Sequence, residues 1–257
     1  MSHSEILLPA VLLCLAFAGL WVVSVRTKDA SLVDAGWALG LGVMGSWIAA
    51  TASGLPARRL LVGVMAASWS LRLAAHLYFD RVRGKPEDGR YAALRASWGP
   101  AADRNFFLFF QAQALLVLAL SSSYCSAAAR AEPLGALDAL GAALFVLSLC
   151  GETLADRQLA AFRADPGNRG RVCRAGLWGW SRHPNYFFEW LVWPSFAALA
   201  AGAWSAWLSP ALMLYFLLRV TGIPATEAQA LKTRGEDYRR YQREVSTFVP
   251  WPPRRPA

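Results

Sequence analysis

The chemically densest stretch of this 257-residue chain is Ser181-Arg182-His183-Pro184-Asn185-Tyr186-Phe187-Phe188-Glu189-Trp190, where polar side chains run straight into a long apolar segment. Pro184 suits the first turn of a helix, because the N–H it lacks has no intrahelical partner there. Asn185 and Glu189 then fall four residues apart, on one face of that helix. An amide and a carboxylate carried into an apolar span are costly unless they line a cavity, so the stretch reads as a functional site. A second set lies upstream: Glu152, Asp156 and Arg163, at spacings of four and seven, share a helix face. Arg163, Arg169, Arg171, Arg174 and Arg182 add a cluster of fixed positive charge. Guanidiniums suit phosphate through paired hydrogen bonds, while Asp156, Asn185 and Glu189 suit ribose hydroxyls or an amide. The plainer alternatives are that the arginines only touch anionic lipid headgroups and that His183 only starts a helix. With three scattered histidines, no metal site is expected.

These residues need elements to hold them, and composition says which. The chain is 56% apolar and 17% charged, with twelve Trp and a mean hydropathy of +0.31, unlike an ordinary soluble domain. Uncharged or nearly uncharged runs of membrane-spanning length recur: Ile6 to Val25, Ala35 to Gly54, Leu60 to Phe79, and Phe106 to Ala129. A fifth runs from about Leu137 to Gly151 and continues as helix past Glu152 and Asp156. Trp190 to Leu218 holds no charge over twenty-nine residues, too long for one untilted crossing, and Ser205 to Pro210 offers a break within it. The expectation is an all-α polytopic membrane protein of seven transmembrane helices forming one domain, 1–257. The first run lacks a basic leader and a cleavage site, so it reads as a span rather than a removed signal.

Charge orients the spans. With the N-terminus outside, the segments placed inside (26–33, 80–105, 157–182 and 224–257) hold twenty-one Lys and Arg, against three outside. That asymmetry predicts a cytoplasmic C-terminus and cytoplasmic loops 80–105 and 157–182. It also accounts for the net charge of +9 without nucleic acid. Cys14, Cys125, Cys150 and Cys173 show no pairing or ligand spacing and read as reduced thiols. In the first half, Asp34 at the mouth of the second run is a candidate acid or, alternatively, the N-cap of that helix. Tyr91 and Tyr186 are alternative proton donors. Gln113 in the fourth run suits either a substrate or a neighbouring helix.

Gly176-Leu177-Trp178, then Ser181-Arg182-His183-Pro184-Asn185-Tyr186 with Glu189, and Glu236-Asp237-Tyr238 further on, resemble the steroid 5α-reductase superfamily, in particular its bacterial membrane branch. Val33-Asp34-Ala35-Gly36-Trp37, Trp69-Ser70-Leu71-Arg72-Leu73, Glu87-Asp88-Gly89-Arg90-Tyr91 and Asp165-Pro166-Gly167-Asn168 extend the likeness over nearly the whole chain. The resemblance implies seven transmembrane helices in a bacterial inner membrane and a cytosol-facing NADPH site. It implies hydride transfer to the activated double bond of a hydrophobic substrate, steroid-like or another lipid, by a protein taken as a monomer among membrane lipids. Position by position, it gives Asp156, Arg163, Asn185, Tyr186 and Glu189 to the dinucleotide and Gly176 to the turn before them, with Glu152, Arg182, His183 and Tyr238 in the same cofactor set. Trp37, Trp69 and Gln113 fall on the substrate side. The Gln-Glu pair of the reductases is absent, and Trp69 stands where they carry a tyrosine. The Arg-His-Pro-X-Tyr signature is also similar to that of membrane methyltransferases of the isoprenylcysteine and phospholipid type. Glu227, Tyr238 and Tyr241 fit the tail of those enzymes, which implies S-adenosylmethionine instead. A non-catalytic lipid-binding protein is the third reading.

Overall fold

A chain this apolar satisfies its backbone N–H and C=O groups within helices, since lipid offers no partner for them. The computed structural model describes residues 3–254 and is helical throughout. Its α-helices are α1 (His3–Thr27), α2 (Leu32–Thr51), α3 (Pro56–Leu77), α4 (Gly89–Trp98), α5 (Ala102–Leu120), α6 (Ser122–Ala128), α7 (Ala136–Ala164), α8 (Pro184–Leu199), α9 (Leu208–Tyr215) and α10 (Ile223–Glu244). Single π turns, Tyr78–Val82 and Phe216–Val220, extend α3 and α9. The one β-type pairing among the described residues is a parallel bridge between Ser181 and Ser246.

Among the described residues, six helical stretches are long and apolar enough to cross a membrane: Leu7–Thr27, Leu32–Thr51, Pro56–Val82, Gly89–Ala128, Ala136–Ala164 and Trp204–Glu244. At 16 residues α8 is about 24 Å long, short of a hydrocarbon core about 30 Å thick. The long uncharged run does divide: α8 ends at Leu199, Ala201 (φ 43°) and Gly202 (φ 91°) break the helix, and α9 starts only at Leu208, so the break begins earlier than Ser205 and ends within Ser205 to Pro210. The polar 80–105 segment, whose composition suits an interfacial loop or a short amphipathic helix, contains the ten-residue α4, and α7 continues past Asp156 to Ala164. Of the tail, 223–244 is α10, bent at Gly235, and residues 255–257 lie outside the described chain.

The chain forms two compact units. One holds the residues up to Gly135 together with Leu199–Ser209, and the other holds Ala136–Ala198 and the residues from Pro210 on. In the first, Ser70 Oγ donates to the Ala38 carbonyl at 2.7 Å, and a side chain at Gly42 or Gly45 would collide with Ser70 or Ala66, so α2 and α3 lie close. Fully buried Arg58 at the start of α3 donates to the carbonyls of Arg130 (3.0 Å), Glu132 (2.8 Å) and Pro133 (3.0 Å), which ties down the turn after α6. Hydrogen bonds Ser122–Ser209 and Ser126–Ser205, both 2.9 Å, bring the Leu199–Ser209 segment onto α6.

In the second unit α7 and α8 touch through small residues. Ser148 Oγ donates to the Phe188 carbonyl, and the Phe188 ring lies where a Cβ on Gly151 would stand. This contact sets the approach of the two helices that carry the chemically dense sequences. Gly151→Val is therefore expected to overpack the crossing and cost about 1–3 kcal/mol. Gly19→Ala, which meets nothing within 4 Å, should leave stability unchanged or raised. Thermal unfolding of the two variants in detergent checks the contrast.

Candidate functional site

Arg182 organises the second unit. A guanidinium that is only 8% exposed cannot shed its charge and needs acceptors for five N–H bonds. Four are met by groups distant in sequence. Nε donates to Glu227 Oε1 (2.7 Å), Nη1 to the carbonyls of Gln242 (2.9 Å) and Val245 (2.8 Å), and Nη2 to Thr247 Oγ1 (2.9 Å). Glu227, in the first turns of α10, also accepts from Gln242 Nε2 (2.8 Å), Tyr238 Oη (3.5 Å) and His183 Nε2 (3.2 Å). Burial holds the His183 imidazole below its ordinary pKa, against the opposite pull of Glu227. It is thus neutral near pH 7, with its proton on the Nε2 that faces the carboxylate.

Around this hub the polar residues of α7 and α8 meet. Asn185 Nδ2 lies 3.4 Å from Asp156 Oδ1, a long bond that joins the two helices. Glu152, one turn before Asp156, is buried on α7, and Glu189, one turn after Asn185, is half-buried on α8. Tyr186 stacks on His183 (centroids 5.5 Å apart, planes at 6°), and its hydroxyl pairs with Thr226 at 3.2 Å. Two turns beyond Asp156, Arg163 is exposed near the end of α7, followed by exposed Arg169 and Arg171. Gly176 takes φ 54°, and a Cβ there would strike the Gln158 amide, whose Oε1 accepts from Leu177 N at 2.9 Å. Its role is to turn the chain against α7. Tyr238 and Tyr241 pack with Val172, Ala230 and Val245, and Tyr241 Oη donates to the Trp178 carbonyl at 2.5 Å.

The first unit holds a separate cluster at the start of α2. Tyr91, 3% exposed on α4, donates its hydroxyl to Asp34 Oδ1 at 2.5 Å. Asp34 Oδ2 meets Arg90 Nη2 at 2.7 Å and Arg81 Nη1 at 3.5 Å. Asp34 is the third residue of α2 rather than its N-cap, the other use open to it in the sequence. Ser31 occupies the cap position but makes no cap, because its hydroxyl accepts from Asp88 N (2.8 Å). Asp88 caps α4 through Arg90 N, and although burial works against its ionisation, the Arg90 bonds and charge hold its carboxyl below the usual range. Trp37 and Trp69 meet edge-to-face at 6.4 Å, with Trp69 fully buried and Trp37 Nε1 buried without a partner among the described residues. Gln113 is half-buried on α5. The structure thus brings Asp34 to Tyr91 and Trp37 to Trp69 in one unit, and in the other it joins Asn185 to Asp156 and Arg182, His183 and Tyr238 to Glu227, with Arg163 exposed near the end of α7.

The family model described as protein of unknown function (DUF1295) matches residues 20–245. The chain belongs to the DUF1295 family. An uncharacterized protein of Schizosaccharomyces pombe is 29% identical over 275 aligned residues, covering 90% of this chain and 75% of the yeast protein. No solved structure matches the chain. The DUF1295 match takes in both clusters, whereas Ser246 and Thr247 lie just past its end.

Within this DUF1295 chain Glu227 is the hub residue least visible from sequence. Its only signal is its fit to a methyltransferase-like tail, since its partners Arg182 and Gln242 lie 45 and 15 residues away. Glu227→Ala strands a buried guanidinium and is expected to cost about 3–5 kcal/mol, read as a loss of thermal stability in detergent. His183 gives a pH test. Its folded pKa lies below that of the unfolded chain, so protons favour unfolding. Its contribution is complete above about 6.5, the ordinary histidine value, and is lost as pH falls through that value toward the folded one. Between pH 7.5 and 5.5, wild type should lose more melting temperature than His183→Gln.

Proposed function

We propose that the protein is a membrane-embedded reductase that uses NADPH to reduce the activated C=C bond of a hydrophobic, steroid-like or other lipid substrate. The observation that carries this reading is the Asp156–Asn185 seam between α7 and α8, flanked by Glu152 and Glu189 and followed by the exposed Arg163, Arg169 and Arg171. Carboxylates and an amide match nucleoside hydroxyls and a carboxamide, and solvent-facing guanidiniums match a diphosphate. The resemblance to the steroid 5α-reductases supports the same assignment for Asp156, Arg163, Asn185, Tyr186 and Glu189. Arg182 has a different part: its guanidinium orients α10 and the tail through Glu227, which positions the neighbouring His183 and Tyr186.

When bound, NADPH supplies the hydride, and the protein contributes binding, orientation and a proton. Of the candidate proton donors, Tyr186 shares a unit with the Asp156–Asn185 seam. In the first unit the Tyr91 hydroxyl donates to the Asp34 carboxylate, whose charge Arg90 and Arg81 balance. On the substrate side, half-buried Trp37 packs edge-to-face on buried Trp69, so Trp37 is the one of the pair with surface to offer. The loop charge asymmetry supports placing the cofactor residues and the C-terminus on the cytoplasmic side, and the resemblance implies a bacterial inner membrane.

A second reading, S-adenosylmethionine-dependent methyl transfer, is favoured by one observation. Arg182, the most buried arginine of the motif, is committed to Glu227 and backbone carbonyls and so contributes no free charge to a diphosphate at the seam. Thermal shift separates the two. NADPH at a hundredfold excess over its Kd should stabilise the detergent-purified protein by about 2.7 kcal/mol, and Asp156→Ala or Asn185→Ala should remove most of that shift. Stabilisation by S-adenosylmethionine alone would replace the reductase with the methyltransferase, and no response to either would sink both.

A further inference from the structure

The chain beyond α10 is a fastened strap. Arg182 N donates to the Ser246 carbonyl (2.8 Å), Ser181 Oγ to the Phe248 carbonyl (2.8 Å) and Trp251 N to the Trp180 carbonyl (2.9 Å). Arg254 N returns to the Glu244 carbonyl at 2.8 Å, which closes the segment on itself. Phe248 is buried against Phe187 (5.6 Å) and Trp190 (5.9 Å), which holds the strap to α8.

Under this strap is a cavity of about 350 Å³, with Arg182, Arg243, Arg254, Gln242, Thr247 and Trp251 among the residues of its wall. Three guanidiniums face a single lining carboxylate, Glu244, and that carboxylate is paired with Arg174. Donors outnumber acceptors as well. Arg182 uses four of its five N–H bonds, leaving one on Nη2. Thr247 Oγ1 accepts from Arg182, so its own proton is available to donate. The Arg254 guanidinium is exposed and has no side-chain partner among the described residues, and Arg243 holds only the exposed Glu236 (3.1 Å). A buried cation with a spare donor, a hydroxyl with a spare donor and two arginines at an opening match a phosphate group. The indole of Trp251, 69% exposed at the rim, gives a flat apolar surface to whatever organic group carries that phosphate.

We infer that the cavity beneath the C-terminal strap binds the phosphate of an organic ligand, through Arg182, Thr247 and Arg254, at a site separate from the Asp156–Asn185 seam. It does not depend on the reductase reading. Five of its lining residues, Ser246, Thr247, Trp251, Pro252 and Arg254, lie beyond the stretch matched to DUF1295. The phosphate belongs either to a lipid headgroup or to a soluble metabolite, and calorimetry of the full chain in maltoside micelles distinguishes them. Three probes are titrated: inorganic phosphate, adenosine 5′-monophosphate and dihexanoyl phosphatidylglycerol, with sodium chloride at matched ionic strength as control. A saturable heat from at least one probe is expected, weakened about tenfold or more by Arg254→Gln and by Thr247→Val and unchanged in Arg104→Gln, an exposed arginine of the first unit. Saturation by the lipid alone supports a headgroup site, and saturation by either soluble probe supports a metabolite site. Equal heats from chloride, no saturable heat, indifference to Arg254→Gln in a variant that still melts like wild type, or a tenfold loss in Arg104→Gln would each overturn the inference.

Discussion

A guanidinium that cannot lose its charge, set where water is scarce, must be surrounded by acceptors, and this constraint at Arg182 governs the second unit. No run of chain next to Arg182 can supply four acceptors in the geometry of a planar fork. They come instead from the first turns of α10, from its last turn, and from Val245 and Thr247 at the start of the strap. Satisfying one side chain thereby fixes the path of more than twenty residues. It also explains the carboxylate at Glu227, which neutralises the cation and then serves as acceptor for His183, Tyr238 and Gln242. A pair of this kind adds little net stability compared with apolar packing, but losing one partner is expensive, so it specifies an arrangement more than it strengthens one.

The first unit solves a similar problem in the opposite sense. There the charge to be satisfied is a carboxylate, Asp34, and the cations come from the segment after α3 and from α4. Glu87 repeats the pattern, accepting from Ala30 N (2.9 Å) and from Arg95 Nη2 (2.8 Å). The basic 80–105 segment, whose composition suggests a loop at the interface, is drawn onto the mouth of α2 by these pairs. The Tyr91 hydroxyl acquires its direction as a consequence. In both units the polar chemistry is built at helix ends, where backbone groups and charged side chains meet, while the apolar helix bodies hold those ends in place.

Several features were readable in one dimension. The spacing of Asn185 and Glu189, of Glu152, Asp156 and Arg163, and the placing of Pro184 at the first turn of α8 are helical periodicities, and periodicity survives projection onto sequence. The role of Arg182 was not readable. An arginine beside a candidate nucleotide motif suggests a phosphate ligand, whereas its acceptors lie 45 to 65 residues away in a polar tail. The break in the long uncharged run was visible as a necessity of length, and its far end, at the start of α9 (Leu208), falls within Ser205 to Pro210. Its near end was not visible, because Ala201, where the backbone takes positive φ after α8, has no turn composition.

Sequence alone determined that the chain is helical, that several of its helices are apolar enough for a membrane, and which helix faces carry carboxylates and amides. These follow from hydrophobic burial and from the 3.6-residue period, both local properties. Tertiary structure decided which of the charged residues are occupied with one another and which remain available. It committed Arg182 to Glu227, held Asp34 between Tyr91 and Arg90, left Arg163 facing solvent, and fastened the strap over a cavity. The physical reason is that a charge takes its meaning from its nearest counter-charge, and here those neighbours come from chain segments far apart in sequence.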